Sequence, residues 1–127
     1  MLPIVFIVFA ELFLRAINYG NDFSTFVKIS DQFESYKFFN PELPKKYFGN
    51  NPITPSVIAD GFKEEKGDRT FRIFALGGST TAGFPYPPNG SFPRLLKHKL
   101  QKKYPEIYFE VINLGISAVN SVTIRDI

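Results

Sequence analysis

Phe71-Arg72-Ile73-Phe74-Ala75-Leu76-Gly77-Gly78-Ser79-Thr80-Thr81-Ala82-Gly83 is the stretch that decides the fold. Its first six residues are rich in β-formers, almost wholly apolar, and closed by two glycines. A run of that length and character suits a buried strand of a parallel sheet. Downstream, Pro85, Pro87, Pro88, Asn89 and Gly90 predict a loop, and Ser91 is placed as the N-cap of a helix with Pro93 in its first turn. Phe92, Leu95, Leu96, Leu100 and Tyr104 recur at helical spacing, interrupted by Lys99, until Pro105 stops the helix. Tyr108-Phe109-Glu110-Val111-Ile112-Asn113 reads as a second strand, and Ser121 to Ile127 as the first turns of another helix. Strand, helix, strand, helix predicts an α/β fold with a right-handed parallel crossover. Two strands do not make a stable sheet of that kind, so the chain is expected to stop inside a larger domain.

Upstream of this stretch the character changes. Residues 18 to 70 are punctuated by Asn18, Gly20, Asn21, Asn40, Pro41, Pro44, Gly49, Asn50, Asn51, Pro52 and Pro55 between short aromatic pieces such as Tyr36-Lys37-Phe38-Phe39. Turn residues this dense exclude a long helix. Residues 21–70 are expected to form an aromatic and Pro-rich linker or membrane-proximal segment, extended along the surface with two short strands. Glu64 to Arg69 is a polar turn that delivers the chain into the strand at Phe71.

Residues 2 to 17 are apolar except for Glu11 and Arg15, which lie four apart and can pair on one helix face. Three readings compete. A membrane anchor over residues 1–20, with its first residues preceding this sequence and Arg15 snorkelling to the interface, is favoured. A signal peptide is the second: Val8-Phe9-Ala10 resembles a cleavage site, but no positive n-region precedes it. A buried amphipathic helix is the third.

Composition narrows the classes further. The 127 residues suffice for one ordinary domain, and 44% hydrophobic content with fifteen Phe and six Tyr supports a folded core. The formal charge is +3, and Lys97, Lys99, Lys102 and Lys103 share one predicted helix. Four helix lysines without interleaved stacking groups read as a solvated face, so nucleic acid is not expected as a partner. There is no cysteine, which excludes disulfides, thiolate catalysis and Cys-based zinc sites. The single histidine, His98, lies between two lysines and away from the apolar stripe. It is expected to be solvent-exposed, and one His does not make a metal site. No metal or cofactor is expected.

The chemistry is expected at Gly77 to Gly83. Ligands of open parallel sheets bind beyond the carboxyl ends of strands, and a Ser two residues past such an end projects its hydroxyl there. Flanking glycines permit unusual backbone angles and close substrate approach. If a helical turn starts here, free N–H groups near Ser79 could stabilise an oxyanion. A phosphate loop fails because Phe84 stands where Lys is needed. A dinucleotide turn lacks its Gly-x-Gly-x-x-Gly, and an α/β-hydrolase elbow needs glycine where Thr81 stands. A tight turn with a capping Ser stays open as the alternative.

Ile73 to Gly83, followed about thirty residues on by Val111-Ile112-Asn113-Leu114-Gly115-Ile116-Ser117-Ala118, resembles the SGNH (GDSL-like) hydrolase family. The first stretch is similar to that family's block I, whose Ser is the nucleophile, with Gly78 where the signature has Asp. The second is similar to block II, where a backbone N–H helps form the oxyanion hole and the usual glycine falls on Ala118. The resemblance implies Ser79 as nucleophile and the N–H groups of Ser79 and Ala118 in the oxyanion hole. Gly77, Gly78, Gly83 and Gly115 support the turns. It also implies that residues 71–127 begin a three-layer α/β/α flavodoxin-like domain with a parallel sheet, preceded by an N-terminal apolar helix.

The layout is similar to bacterial, membrane-anchored branches of the family. That implies a membrane-attached protein of the cell envelope, its hydrolase domain extracytoplasmic, acting on a small-molecule, glycan or lipid ester. The family's Gly-x-Asn-Asp and Asp-x-x-His motifs are absent from the 127 residues, and Asn113 and Asn120 do not replace them. The expected function is therefore the N-terminal portion of a serine ester hydrolase, inactive as this fragment. The alternative is a non-catalytic membrane-anchored ligand-binding or scaffold module.

Overall fold

A computed structural model describes residues 2–17, 19 and 23–127. The expected turn residues Asn18, Gly20 and Asn21 lie outside the described residues. The fold is mixed α/β with a small parallel sheet. Strands β4 (Thr70–Gly77) and β5 (Tyr108–Gly115) run parallel in the register Thr70↔Tyr108 through Gly77↔Gly115. Helix α4 (Phe92–Lys103) makes the crossover. Both strands reach their glycines, so each is longer than the apolar runs alone suggest.

Two details of α4 depart from expectation. Ser91 stands at the N-cap, but its hydroxyl donates to the Pro88 carbonyl at 2.9 Å and makes no cap bond. The proline loop, rather than the helix end, takes that hydroxyl. The stripe is also rotated: Phe92 and Leu95 are exposed, while Pro93 is buried and Gln101 bonds the start of β5. Two strands are too narrow a surface to cover a helix face about 100° wide. After β5, α5 (Ser121–Asp126) begins at Asn120, whose side chain accepts from the Val122 and Thr123 N–H groups.

The segment expected as an extended linker with two short strands is more ordered. It forms three antiparallel strands, β1 (Phe26–Val27), β2 (Tyr36–Phe39) and β3 (Gly61–Lys63), with the short helix α2 (Lys45–Phe48). Its apolar side chains complete the core. Phe39, Leu43 and Phe62 cluster with Ile112, Leu114 and Ile116 of the β5 region. Phe62 meets Phe26 and Phe74 edge-on at 5.1 and 5.3 Å. The physical reason is area: one face of β5 is apolar and must be covered. Arg72 joins the two sheets electrostatically, bonding Glu110 at 2.6 Å and the Lys63 carbonyl at 2.6 Å, with its guanidinium 4.5 Å from the Phe62 ring centroid.

Helix α1 (Leu2–Ala16) forms as the sequence predicts, and Arg15 bonds Glu11 at 2.8 Å. Its residues 3–9 and 11–16 are exposed and Ala10 is half-buried. Fifteen residues rise about 22 Å against a hydrocarbon core of about 30 Å. Among the described residues no helix is long and apolar enough to cross a membrane.

Helix α5 is fastened to α2 by Asp126, which accepts from the Lys46 ammonium at 2.7 Å and the Tyr47 hydroxyl at 2.9 Å. The bond from Lys46, then that from Tyr47, holds Asp126 below its ordinary 3.8, and the Asp126 bond raises Lys46 above its ordinary 10.5. The lowered carboxylate stabilises the fold fully above 3.8, and that contribution is lost as pH falls through its folded value. The raised ammonium stabilises below 10.5 and loses its contribution as pH rises through its own. Asp126→Asn is therefore expected to flatten the fall in thermal midpoint below pH 4 (~the ordinary carboxylate range), as read by circular dichroism melts from pH 2 to 7.

Candidate functional site

The registers place two turns side by side. Gly77 sits opposite Gly115, and the Ile116 N–H donates to the Gly77 carbonyl at 3.0 Å. Past this pair the chains diverge into α3 (Ser79–Ala82) and the Ser117–Asn120 turn. Ser79 opens α3 and is exposed at the carboxyl edge of the sheet, where a parallel sheet presents its ligand site. The first N–H groups of a helix have no intrahelical partner. Those of Ser79 and Thr80 therefore border the hydroxyl.

Three of the four expected glycines have a steric reason to be there. A Cβ on Gly77 would overlap the Thr81 side chain, and one on Gly115 would overlap the Ala82 nitrogen. Gly83 has φ +93 and ends α3, with its N–H donating to the Ser79 carbonyl at 3.0 Å. Gly78 differs: a Cβ there meets nothing within 4 Å, and φ is −85. A side chain such as Asp fits that position. Ala118 takes φ +59, the left-handed conformation that glycine adopts freely and an L-residue occupies at a cost of about 1–2 kcal/mol. The backbone thus takes a glycine-like shape where the residue is alanine.

Asn113 holds the arrangement together, a role that was not expected of it. It is 2% exposed. Its side-chain amide donates to the Thr81 carbonyl of α3 at 2.8 Å, and its side-chain oxygen accepts from the Gly115 N–H at 2.9 Å. Its own N–H donates to Asp60 at 2.9 Å, and Asp60 accepts from Arg94 at 2.7 Å. The sequence carried one signal, a polar residue within an apolar strand, but none that named its partners. Asn120, in turn, is occupied as the cap of α5.

His98 is exposed on α4. Among the described residues no group of three or more His, Asp or Glu could hold a metal ion. Taken together, the fold and turns define a parallel β-α-β unit with an exposed serine at its carboxyl edge. Comparison with protein-family models, with curated proteins and with solved structures returns no match.

Substitutions separate the positional roles. Asn113→Ala leaves the Thr81 carbonyl and Gly115 N–H unpaired, and is expected to cost about 2–4 kcal/mol. Gly115→Ala is expected to cost about 2–3 kcal/mol by overpacking, whereas Gly78→Asp stays within ~0.5 kcal/mol. Ala118→Gly should stabilise by about 0.5 kcal/mol, the relief of strain exceeding glycine's added chain entropy. Urea unfolding of the four variants reads all of these.

Proposed function

We propose that the chain carries the nucleophile half of an SGNH-like serine ester hydrolase, with Ser79 as the attacking group. The observation that supports this best is Ala118, whose positive φ falls where the resembled family has its block II glycine, on the turn beside Ser79. The open Gly78 position, where that family has Asp, agrees with it. The Ser79 hydroxyl attacks an ester carbonyl, its proton passes to a base, and the alkoxide leaves. The acyl-serine is then hydrolysed by water. N–H groups of Ser79 and Ala118 face the developing oxyanion. Exposed Phe71, Phe74 and Leu76 on β4, which pairs only with β5 among the described residues, support a wider, three-layer flavodoxin-like sheet. In this reading the base and its carboxylate partner come from polypeptide other than these residues, since His98 sits on an exposed helix face.

The apolar, exposed α1 supports membrane association, with the hydrolase part outside the cytoplasm and a small-molecule, glycan or lipid ester as substrate. The non-catalytic alternative keeps the same turns as a ligand-binding or scaffold surface.

Incubation with p-nitrophenyl acetate tests the reading. Turnover is expected at least ~10³-fold below that of a complete triad, because the base is absent. Mass spectrometry should find a slow acetyl adduct on Ser79 that Ser79→Ala removes. Acetylation confined to lysines would contradict the assignment. Triad-level turnover lost in Ser79→Ala would show that the base lies within the chain.

A further inference from the structure

A cleft of about 330 Å³ is lined by β3, α4 and β5, with Thr70 at the start of β4 and Gly67 just before it. Its residues belong to neither turn around Ser79. Along β5 the peptides alternate: the Tyr108 N–H points to β4, donating to Arg69 at 2.9 Å, while those of Phe109 and Asn113 point outward. The outward edge is capped at both ends. Gln101 accepts from the Phe109 N–H at 3.1 Å and Asp60 from the Asn113 N–H at 2.9 Å. By the same alternation the Val111 N–H between them falls on the outward edge, where β5 has no strand partner among the described residues, and Val111 lines the cleft.

The charges of the cleft are unbalanced. Its two carboxylates are already engaged: Asp60 with Arg94 at 2.7 Å and Glu110 with Arg72 at 2.6 Å. Lys63 from β3 and Lys97 from α4 both line it, and neither has a carboxylate within ion-pair distance among the described residues. The Lys97 ammonium lies 5.8 Å from the centroid of the Tyr108 ring, which with Tyr36 lines the same cleft.

The geometry points to a binding site for a small organic dianion, a dicarboxylate or a phosphate ester, bridging Lys63 and Lys97 and accepting the Val111 N–H. A volume of this size is at the small end of ligand pockets. The two cations come from separate elements, β3 and α4, which matches two anionic groups joined by a short body better than a single ion. The tyrosine rings offer that body an apolar surface, and their hydroxyls further donors. This inference does not depend on Ser79 being a nucleophile.

Isothermal titration of the full chain with glutarate, glucose 6-phosphate and inorganic phosphate tests it, with the Val111 amide followed by NMR. One-to-one binding of glutarate or glucose 6-phosphate is expected, moving the Val111 resonance; whichever binds identifies the oxyanion. Lys63→Ala and Lys97→Ala should each weaken it about five-fold or more, as loss of a charge-assisted contact implies. Lys102→Ala, on the same helix outside the cleft, should leave affinity unchanged. The site is overturned by absence of saturable binding, by an unmoved Val111 amide, or by affinity that ignores both cleft lysines. It is also overturned by equal loss in Lys102→Ala, or by inorganic phosphate binding as tightly as the organic probes.

Discussion

Asn113 is the point on which the rest of the structure leans. A buried amide needs partners for both its donor and its acceptor, and in an apolar strand those partners must be backbone groups brought close to it. Here they are the Thr81 carbonyl and the Gly115 N–H. Satisfying them draws α3 down onto the end of β5, which is sterically allowed only because Gly115 has no side chain. The Asn113 peptide simultaneously engages Asp60, so the same residue links the serine turn to the chain entering β3. The position of Ser79 is thus a consequence of a hydrogen-bonding obligation one strand away.

The glycines around Ser79 look alike in sequence and are unlike in space. Gly77 and Gly115 avoid overlap between the turn and the sheet, Gly83 turns the chain with a positive φ, and Gly78 is under no steric demand. Ala118 is the converse case, a side chain tolerated in a conformation suited to glycine. Strain of that kind persists only where the surroundings over-determine the backbone, and it is concentrated at functional sites.

The aromatic segment before β4 illustrates how tertiary packing overrides local punctuation. Its prolines and asparagines do mark turns, yet the short pieces between them pair into β1, β2 and β3 because Phe39 and Phe62 have a face of β5 to cover. The same economy explains the exposed Phe92 and Leu95 on α4: a two-stranded sheet covers only part of an amphipathic helix.

Local pattern determined β4, β5, α4 and α1, because hydrophobic period, caps and breakers act within a few residues and leave a direct trace. The motif spacing also placed the serine turn and its neighbour at adjacent strand ends, since parallel strands in register bring their glycines together. Tertiary structure alone decided the rest. The bond from Asn113 to Thr81 spans 32 residues and that to Asp60 spans 53. The cleft lined by β3, α4 and β5, and the fit of Phe39 against Ile112, likewise join residues far apart in the chain. Such contacts depend on which surfaces meet, and a linear sequence records the residues that can meet without recording the meeting.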